Sequence, residues 1–206
     1  MTGRQRMLAA MRREPVDMTP VWFMRQAGRA LPEYRKLREK HDILHMAKTP
    51  DLAVEISLMP IRRLKVDAAV LYADIMLVLE GMGLPYHIEP DIGPIVPNPL
   101  RTEEDIDGLR IVEAEEATPY VFEAIRRLRK ELADETAIVG FGGGAFTLAC
   151  YMIEGHPSRD FAAAKGLMFA RPDLWHRLME TVTEVLVRYL KAQAVAGADL
   201  IQLFDS

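Results

Sequence analysis

Four short apolar stretches, separated by segments of helical pattern, limit the folds open to this sequence. They occupy residues 20–24, 68–73, 137–141 and 200–204. Each stretch is almost continuously apolar, as expected for a strand that is covered on both faces. Strands of this kind alternating with helices predict an α/β protein built on a parallel sheet. A doubly wound sheet and a (β/α)₈ barrel both satisfy the pattern.

Polar residues or glycines follow each stretch: Arg25, Asp74, residues 142–144 and residues 205–206. In a barrel the C-terminal ends of all strands meet at one mouth, whereas an open sheet needs such endings only near its switch point. The endings therefore favour a (β/α)₈ TIM barrel. A complete barrel takes about 250 residues, and this chain has 206. We expect a single domain over residues 1–206, with roughly the first four β/α units of a truncated barrel.

Helices are expected between the strands, together with one small hairpin. Thr49 is the predicted N-cap of a helix with Pro50 in its first position, and Pro60 should bend or end that helix. Residues 86–98 are rich in proline and glycine and predict a hairpin. The other predicted helices are an N-terminal one and those over residues 115–132, 158–170 and 172–195.

Charge and cysteine content exclude several classes of protein. The formal net charge is −4, which argues against a general nucleic-acid or membrane-surface binder. Cys150 is the single cysteine, so a disulfide framework is excluded and the reducing cytoplasm is the expected location. No apolar run approaches the roughly 20 residues that span a bilayer.

Two arginines, Arg25 and Arg29, follow the first apolar stretch without any acidic residue between Asp17 and Glu33. If a turn brings the two guanidinium groups to about 6 Å, their repulsion is about 3 kcal/mol at an effective dielectric constant near 20. An anion bound between them would relieve this repulsion, and the planar guanidinium suits carboxylate or phosphate. The alternative is a pair of solvated surface arginines.

Asp74 ends the second stretch and is open to several interpretations. Its carboxylate could bind a cation, accept N–H donors or take part in acid–base chemistry. It could equally be the N-cap of a helix over residues 75–82.

The segment over residues 140–145 matches a G-x-G-x-x-A pattern, but close backbone approach to a ligand or helix explains its glycines better than dinucleotide binding. His41 and His45 lie one helical turn apart but lack the glutamate of a catalytic zinc helix, which argues against a metal site. Cys150 has the surroundings of a buried apolar residue. Tyr151 beside it could lie in the core or direct its hydroxyl into the mouth of a barrel.

Several segments, in order along nearly the whole chain, resemble the uroporphyrinogen decarboxylase family. The most specific is Thr-Pro-Val-Trp-Phe-Met-Arg-Gln-Ala-Gly-Arg over residues 19–29, followed by Pro-Glu-Tyr-Arg over residues 32–35. The resemblance continues through residues 67–75, 140–148, 151–155 and 196–206.

The resemblance implies a (β/α)₈ barrel that acts as a homodimer on uroporphyrinogen III. It implies removal of CO₂ from the four acetate side chains to give coproporphyrinogen III, without metal or cofactor. Because the histidine of the family's catalytic cleft lies in a part absent here, a chain ending at residue 206 is expected to have little activity of its own.

Matched position by position, Arg25 and Arg29 resemble the arginines that hold substrate carboxylates, and Arg25 is also a candidate proton donor. Asp74 resembles the carboxylate that accepts the pyrrole N–H groups and stabilises positive charge during the reaction. The substrate-binding residues implied by the resemblance are Arg25, Gln26, Ala27, Arg29, Asp74, Tyr151 and Ser206.

Two other functions remain open. A corrinoid- or thiol-dependent methyltransferase of the same superfamily would bind zinc largely through residues outside this sequence, although the arginine motif argues against it. A non-catalytic module that binds tetrapyrroles or other anions would retain affinity without releasing CO₂.

Overall fold

The computed structural model describes residues 1–205, which form five strands and eleven helices. The strands are β1 (Ala68–Val70), β2 (His87–Glu89), β3 (Gly93–Ile95), β4 (Ala137–Gly143) and β5 (Leu200–Phe204). The helices are α1 (Gly3–Met11), α2 (Pro32–Arg38), α3 (Ile43–Lys48), α4 (Pro50–Leu64), α5 (Val78–Gly81), α6 (Glu103–Asp107), α7 (Ala114–Ala117), α8 (Pro119–Leu132), α9 (Ala145–Glu154), α10 (Ala162–Ala170) and α11 (Pro172–Ala196). None of these helices combines the length and apolar character needed to cross a bilayer.

The main sheet has the order β1–β4–β5. Strands β1 and β4 run parallel, with Ala68 opposite Ala137 and Val70 opposite Val139. Every residue of β4 is buried, which explains its continuous apolar character. The parallel sheet and three of the four predicted strands are therefore confirmed, with β1 shorter than expected. Strands β2 and β3 pair antiparallel and form the predicted hairpin.

The remaining predicted strand, residues 20–24, is wrong. The carbonyl oxygen of Val21 accepts the N–H of Asp67 at 2.9 Å, but the N–H of Val21 donates to the Asp67 carboxylate at 2.7 Å. The chain then turns, because the N–H of Gln26 donates to the carbonyl oxygen of Phe23 at 3.0 Å. A side chain thus takes a backbone donor that a strand ladder would use, and the extended segment ends beside the start of β1.

Most helices lie where expected, with differences at their ends. Helix α4 follows Thr49 as predicted but continues through Pro60 to Leu64, so Pro60 does not end it. Thr49 makes no side-chain cap bond, and its hydroxyl donates to the carbonyl oxygen of His45 at 2.8 Å. The helix predicted over residues 115–132 is interrupted at Thr118, where Pro119 begins α8.

The described residues form two compact units along the chain. The first unit comprises residues 1–74, 119–141 and 191–202. One of its buried clusters contains Leu31, Tyr34, Met46, Ile56 and Met59. A second cluster packs Met7 of α1 against Ala68, Ala137 and Val139 of the sheet.

Two carboxylates near the beginnings of the strands in this unit hold arginines. Asp67 pairs with Arg6. Asp199, whose side chain is 5 % exposed, pairs with Arg4 at 2.9 Å and also with Arg129. These pairs join the N-terminal helix to the sheet.

The second unit comprises, among the described residues, 75–118, 142–190 and 203–205. Its α10 begins at Ala162 instead of residue 158, because the carboxylate of Glu154 accepts the N–H groups of Ala163 at 2.9 Å and Ala164 at 3.2 Å. Glu154 therefore supplies the acceptor for the helix start from the end of α9.

Candidate functional site

Residues 23–31, which we term the arginine loop, form two consecutive turns that lead into α2. The first turn closes with the bond from Gln26 to Phe23 described above, and the second with a bond from the N–H of Leu31 to the carbonyl oxygen of Gly28 at 2.9 Å. Arg25 adopts φ 60°, a left-handed conformation that non-glycine residues rarely adopt. The backbone therefore carries strain at a residue predicted to bind substrate.

The guanidinium groups of Arg25 and Arg29 extend from this loop, and both residues are exposed. Within residues 1–205 neither guanidinium engages in a hydrogen bond or ion pair. The carbonyl oxygen of Arg29 accepts a bond from Arg35 at 2.8 Å, which helps fix the second turn. Two neighbouring cations that make no ion pair among the described residues suit an anionic ligand.

Gln26 and Ala27 lie between the arginines but face the protein. Gln26 is 5 % exposed. Its side-chain amide donates to the carbonyl oxygen of Ala68 at 2.9 Å and accepts the N–H of Phe23 at 3.1 Å. Ala27 packs against the cluster that contains Leu31. These contacts fasten the arginine loop to the beginning of β1, the strand whose continuation leads to Asp74.

Asp74 is partly buried and lies four residues after the end of β1. Helix α5 begins only at Val78, so Asp74 is not its N-cap. Tyr72 precedes Asp74 by two residues, and its hydroxyl group lies 2.9 Å from that of Tyr34. Tyr34 belongs to α2, so this contact joins the helix after the arginine loop to the segment that carries Asp74.

Burial raises the pKa of Tyr72 well above its ordinary value, and the hydrogen bond with Tyr34 raises it further. The positive charge of Arg38 lowers this pKa and the negative charge of Asp74 raises it, so both charges act at Tyr72. Sequence reasoning missed Tyr34, Tyr72 and Arg38. Tyr34 stood in the Pro-Glu-Tyr-Arg segment over residues 32–35 and Tyr72 two residues before Asp74, but neither position indicated the contact between them.

Two further residues, Tyr151 and Ser206, are predicted to contact substrate. Tyr151 lies on α9 in the second unit, partly buried, with its ring centroid 6.3 Å from that of Phe161. Ser206 lies outside the described residues. The first unit thus contains Arg25, Gln26, Ala27, Arg29 and Asp74.

The glycine-rich segment serves packing. A Cβ atom on Gly140 would overlap the side-chain oxygen of Gln193. The Gln193 amide pairs with both the N–H and the carbonyl oxygen of Phe141, at 2.9 Å each. A Cβ atom on Gly144 would lie 2.5 Å from the carboxyl carbon of Asp205. Close approach of these side chains therefore accounts for Gly140 and Gly144.

Cys150 is fully buried, as predicted, and burial raises its pKa to about 11, which disfavours a nucleophilic thiolate. The rings of His41 and His45 stack with centroids 5.0 Å apart. Across residues 1–205 no group of three or more His, Cys, Asp or Glu side chains is arranged to hold a metal ion.

Residues 2–206 match the family described as uroporphyrinogen decarboxylase (URO-D). A relative named uroporphyrinogen decarboxylase from Carboxydothermus hydrogenoformans is 51% identical over 97% of this chain and 57% of its own length. Relatives of the same name from Roseiflexus sp. and Thermus thermophilus are 51% and 49% identical, and each is covered over 58% of its length. The chain therefore spans less than three-fifths of the length of these relatives.

A solved structure of a methyltransferase from Methanosarcina mazei is similar to the whole chain and to 59% of its own length, with a TM-score of 0.75 and 22% identity. At this identity the likeness concerns the fold alone. Together with the family match, it gives the chain a TIM-barrel-like α/β fold.

Proposed function

Because the chain belongs to the uroporphyrinogen decarboxylase family, we propose that it acts in converting uroporphyrinogen III to coproporphyrinogen III. The observation that carries this proposal is the arginine loop, which presents two exposed guanidinium groups without an acidic partner among residues 1–205. A substrate rich in carboxylates needs such local cations, since the net charge of −4 provides no general attraction for anions.

In this proposal Arg25 and Arg29 hold carboxylates of the substrate, and the buried Gln26 keeps their loop in place. Asp74 accepts N–H groups of the pyrrole rings, which positions the macrocycle. Tyr151 and Ser206 contribute further contacts. The fixed turns of the arginine loop reduce the ordering needed when the ligand binds.

The reaction requires an electron sink for each acetate that loses CO₂. A proton adds to a pyrrole carbon, for which Arg25 is the candidate donor. The bond between the methylene and carboxylate carbons then breaks, its electron pair moves into the ring, and CO₂ leaves. A proton reaches the methylene carbon to form the methyl group, and the ring carbon returns its added proton. Asp74 stabilises the cationic ring throughout as a fixed negative charge.

We further propose that the chain represents roughly the first four β/α units of a (β/α)₈ barrel, as one domain. The parallel pairing of β1 with β4 and the coverage of 57% of a relative's length support this assignment. By family membership we propose a cytoplasmic homodimer that needs neither metal nor cofactor. Nucleic acid and membrane are not proposed partners.

The test is an assay of protein expressed from its complete reading frame with uroporphyrinogen III under reducing conditions. We expect coproporphyrinogen III and four CO₂ per substrate, measured by chromatography of the oxidised porphyrins and by CO₂ release. A folded protein that forms no coproporphyrinogen would reject the decarboxylase function. Tight binding of the substrate without CO₂ release would instead favour the non-catalytic module.

A further inference from the structure

The hydroxyl groups of Tyr34 and Tyr72 join two segments that lie 38 residues apart in sequence. Their oxygen atoms are 2.9 Å apart, and their rings are tilted by 59° with centroids 5.8 Å apart. Tyr34 is 5 % exposed and Tyr72 is partly buried. Water therefore competes little for this hydrogen bond, and loss of either hydroxyl would leave the other without this partner.

Each tyrosine belongs to a segment that carries part of the candidate site. Tyr34 lies in α2, which begins three residues after Arg29. Tyr72 precedes Asp74 by two residues. The hydrogen bond is therefore a direct connection between the helix that continues the arginine loop and the segment that ends in the aspartate.

Between β1 and Asp74 the backbone changes its hydrogen-bond partners from the sheet to side chains. The N–H of Leu71 still bonds to β4, at the carbonyl oxygen of Val139 and 3.0 Å. The next N–H, that of Tyr72, donates to the hydroxyl of Ser57 at 2.8 Å. Ser57 is fully buried on α4 and donates in turn to the carbonyl oxygen of Ala53 at 2.7 Å. Beyond Leu71, the backbone is therefore held by a hydrogen bond to Ser57 of α4, and the Tyr72 side chain is held by Tyr34 of α2.

We propose that the Tyr34–Tyr72 hydroxyl pair sets the position of the Asp74 carboxylate relative to the arginine loop. Both tyrosines are then positioning residues for the decarboxylation, and the inference rests on that proposed function. Burial and the Tyr34 bond keep the Tyr72 phenol protonated by raising its pKa, so the connection persists at neutral and mildly alkaline pH.

The effect should appear in kcat, because Asp74 acts on charge that develops during the reaction. Loss of one neutral hydrogen bond corresponds to about a 3- to 10-fold change. We expect Tyr34→Phe and Tyr72→Phe each to lower kcat by about this factor, with KM within about twofold. The double variant should lose no more than either single variant, since removal of one hydroxyl already breaks the connection.

The experiment measures kcat, KM and urea unfolding for the full-length enzyme, the two single variants and the double variant. Tyr86→Phe is the matched control, because Tyr86 is also 5 % exposed but lies in the second unit. Its kcat should not change. If a tyrosine variant does not fold, Ser57→Ala tests the same segment through the backbone of Tyr72 and should also lower kcat.

Unchanged kcat in the single variants, or losses that multiply in the double variant, would overturn the inference. An equal loss of kcat in Tyr86→Phe would show a general effect of removing tyrosine hydroxyls and would also overturn the inference. Turnover of the unaltered enzyme is measured first and separates the two claims. Its absence would reject the proposed function and any role of the pair in that reaction, whereas turnover with unaffected variants would reject only the pair.

Discussion

The side-chain amide of Gln26 donates to the carbonyl oxygen of Ala68 at 2.9 Å and so fastens the arginine loop to the beginning of β1. The amide oxygen accepts the N–H of Phe23 in the same loop at 3.1 Å. Both polar atoms are therefore occupied within the protein. Gln26, expected from its motif to bind substrate, has the contacts of a residue that holds the arginines in place.

Gln26→Met removes both hydrogen bonds while largely preserving side-chain volume. Because one buried and one partly buried backbone group lose a partner, the free energy of unfolding should fall by about 1–3 kcal/mol, and KM should rise as the loop loosens. Urea unfolding and steady-state kinetics measure the two effects. Lys36→Met, at an exposed position of α2, is the control and should change stability by less than about 0.5 kcal/mol. Equal stability of both variants would contradict the anchoring role.

Arg25→Lys and Arg29→Lys keep the positive charge but lose the planar fork that grips a carboxylate through two hydrogen bonds. We expect each substitution to raise KM for uroporphyrinogen III about tenfold. The same substitution at Arg12, an exposed arginine after α1, should leave KM unchanged. The assignment fails if all three variants behave alike.

Asp74→Asn replaces the fixed negative charge with a neutral amide of the same shape. We expect kcat to fall about 100-fold or more, since the developing cation loses its stabilising charge, with a much smaller effect on thermal unfolding. Asp91→Asn makes the same chemical change at an exposed position. This control variant should leave kcat unchanged. Turnover that survives in Asp74→Asn would remove the proposed role.

The Asp199 carboxylate pairs with two arginines and should contribute to the free energy of unfolding. Its side chain is 5 % exposed, pairs with Arg4 and Arg129, and accepts the N–H of Ile138 at 2.8 Å. Asp199→Asn should lower the free energy of unfolding by about 3–5 kcal/mol, because two arginines lose a largely buried partner. Asp134 also pairs with Arg4 but is 85% exposed, so Asp134→Asn should cost less than about 1 kcal/mol. Similar losses in the two variants would contradict this distinction.

The ion pair between Arg171 and Asp173 at the start of α11 should make the thermal stability of the protein depend on pH in the acid range. The Arg171 side chain donates to the Asp173 carboxylate at 3.0 and 2.7 Å and lowers the pKa of Asp173 from 3.8 to about 2. A lowered folded-state pKa stabilises the protein above about pH 4, and this contribution is lost as the pH falls towards about 2. Asp173→Asn should therefore reduce the loss of thermal stability between these pH values. An unchanged pH profile of the melting temperature, or the same reduction in Asp91→Asn, would oppose this expectation.

Local patterns in the sequence predicted much of the fold. The continuous apolar run of β4 required burial on both faces, and the proline- and glycine-rich segment predicted the hairpin of β2 and β3. The absence of acidic residues around Arg25 and Arg29 predicted cations that lack a local partner. The specific arginine motif indicated the family, because it requires only consecutive residues.

Tertiary structure alone decided what depends on residues distant in sequence. Residues 20–24 have the composition of a strand, but the carboxylate of Asp67, 46 residues after Val21, takes a backbone donor that a ladder would use. The inward orientation of Gln26 depends on Ala68, and the Tyr34–Tyr72 contact joins residues that lie 38 positions apart in sequence. Hydrophobic periodicity and motif spacing report the preferences of neighbouring residues. They do not specify which distant hydrogen-bonding groups meet after folding. The contacts that hold the arginine loop and the Asp74 segment are therefore visible only in the folded chain.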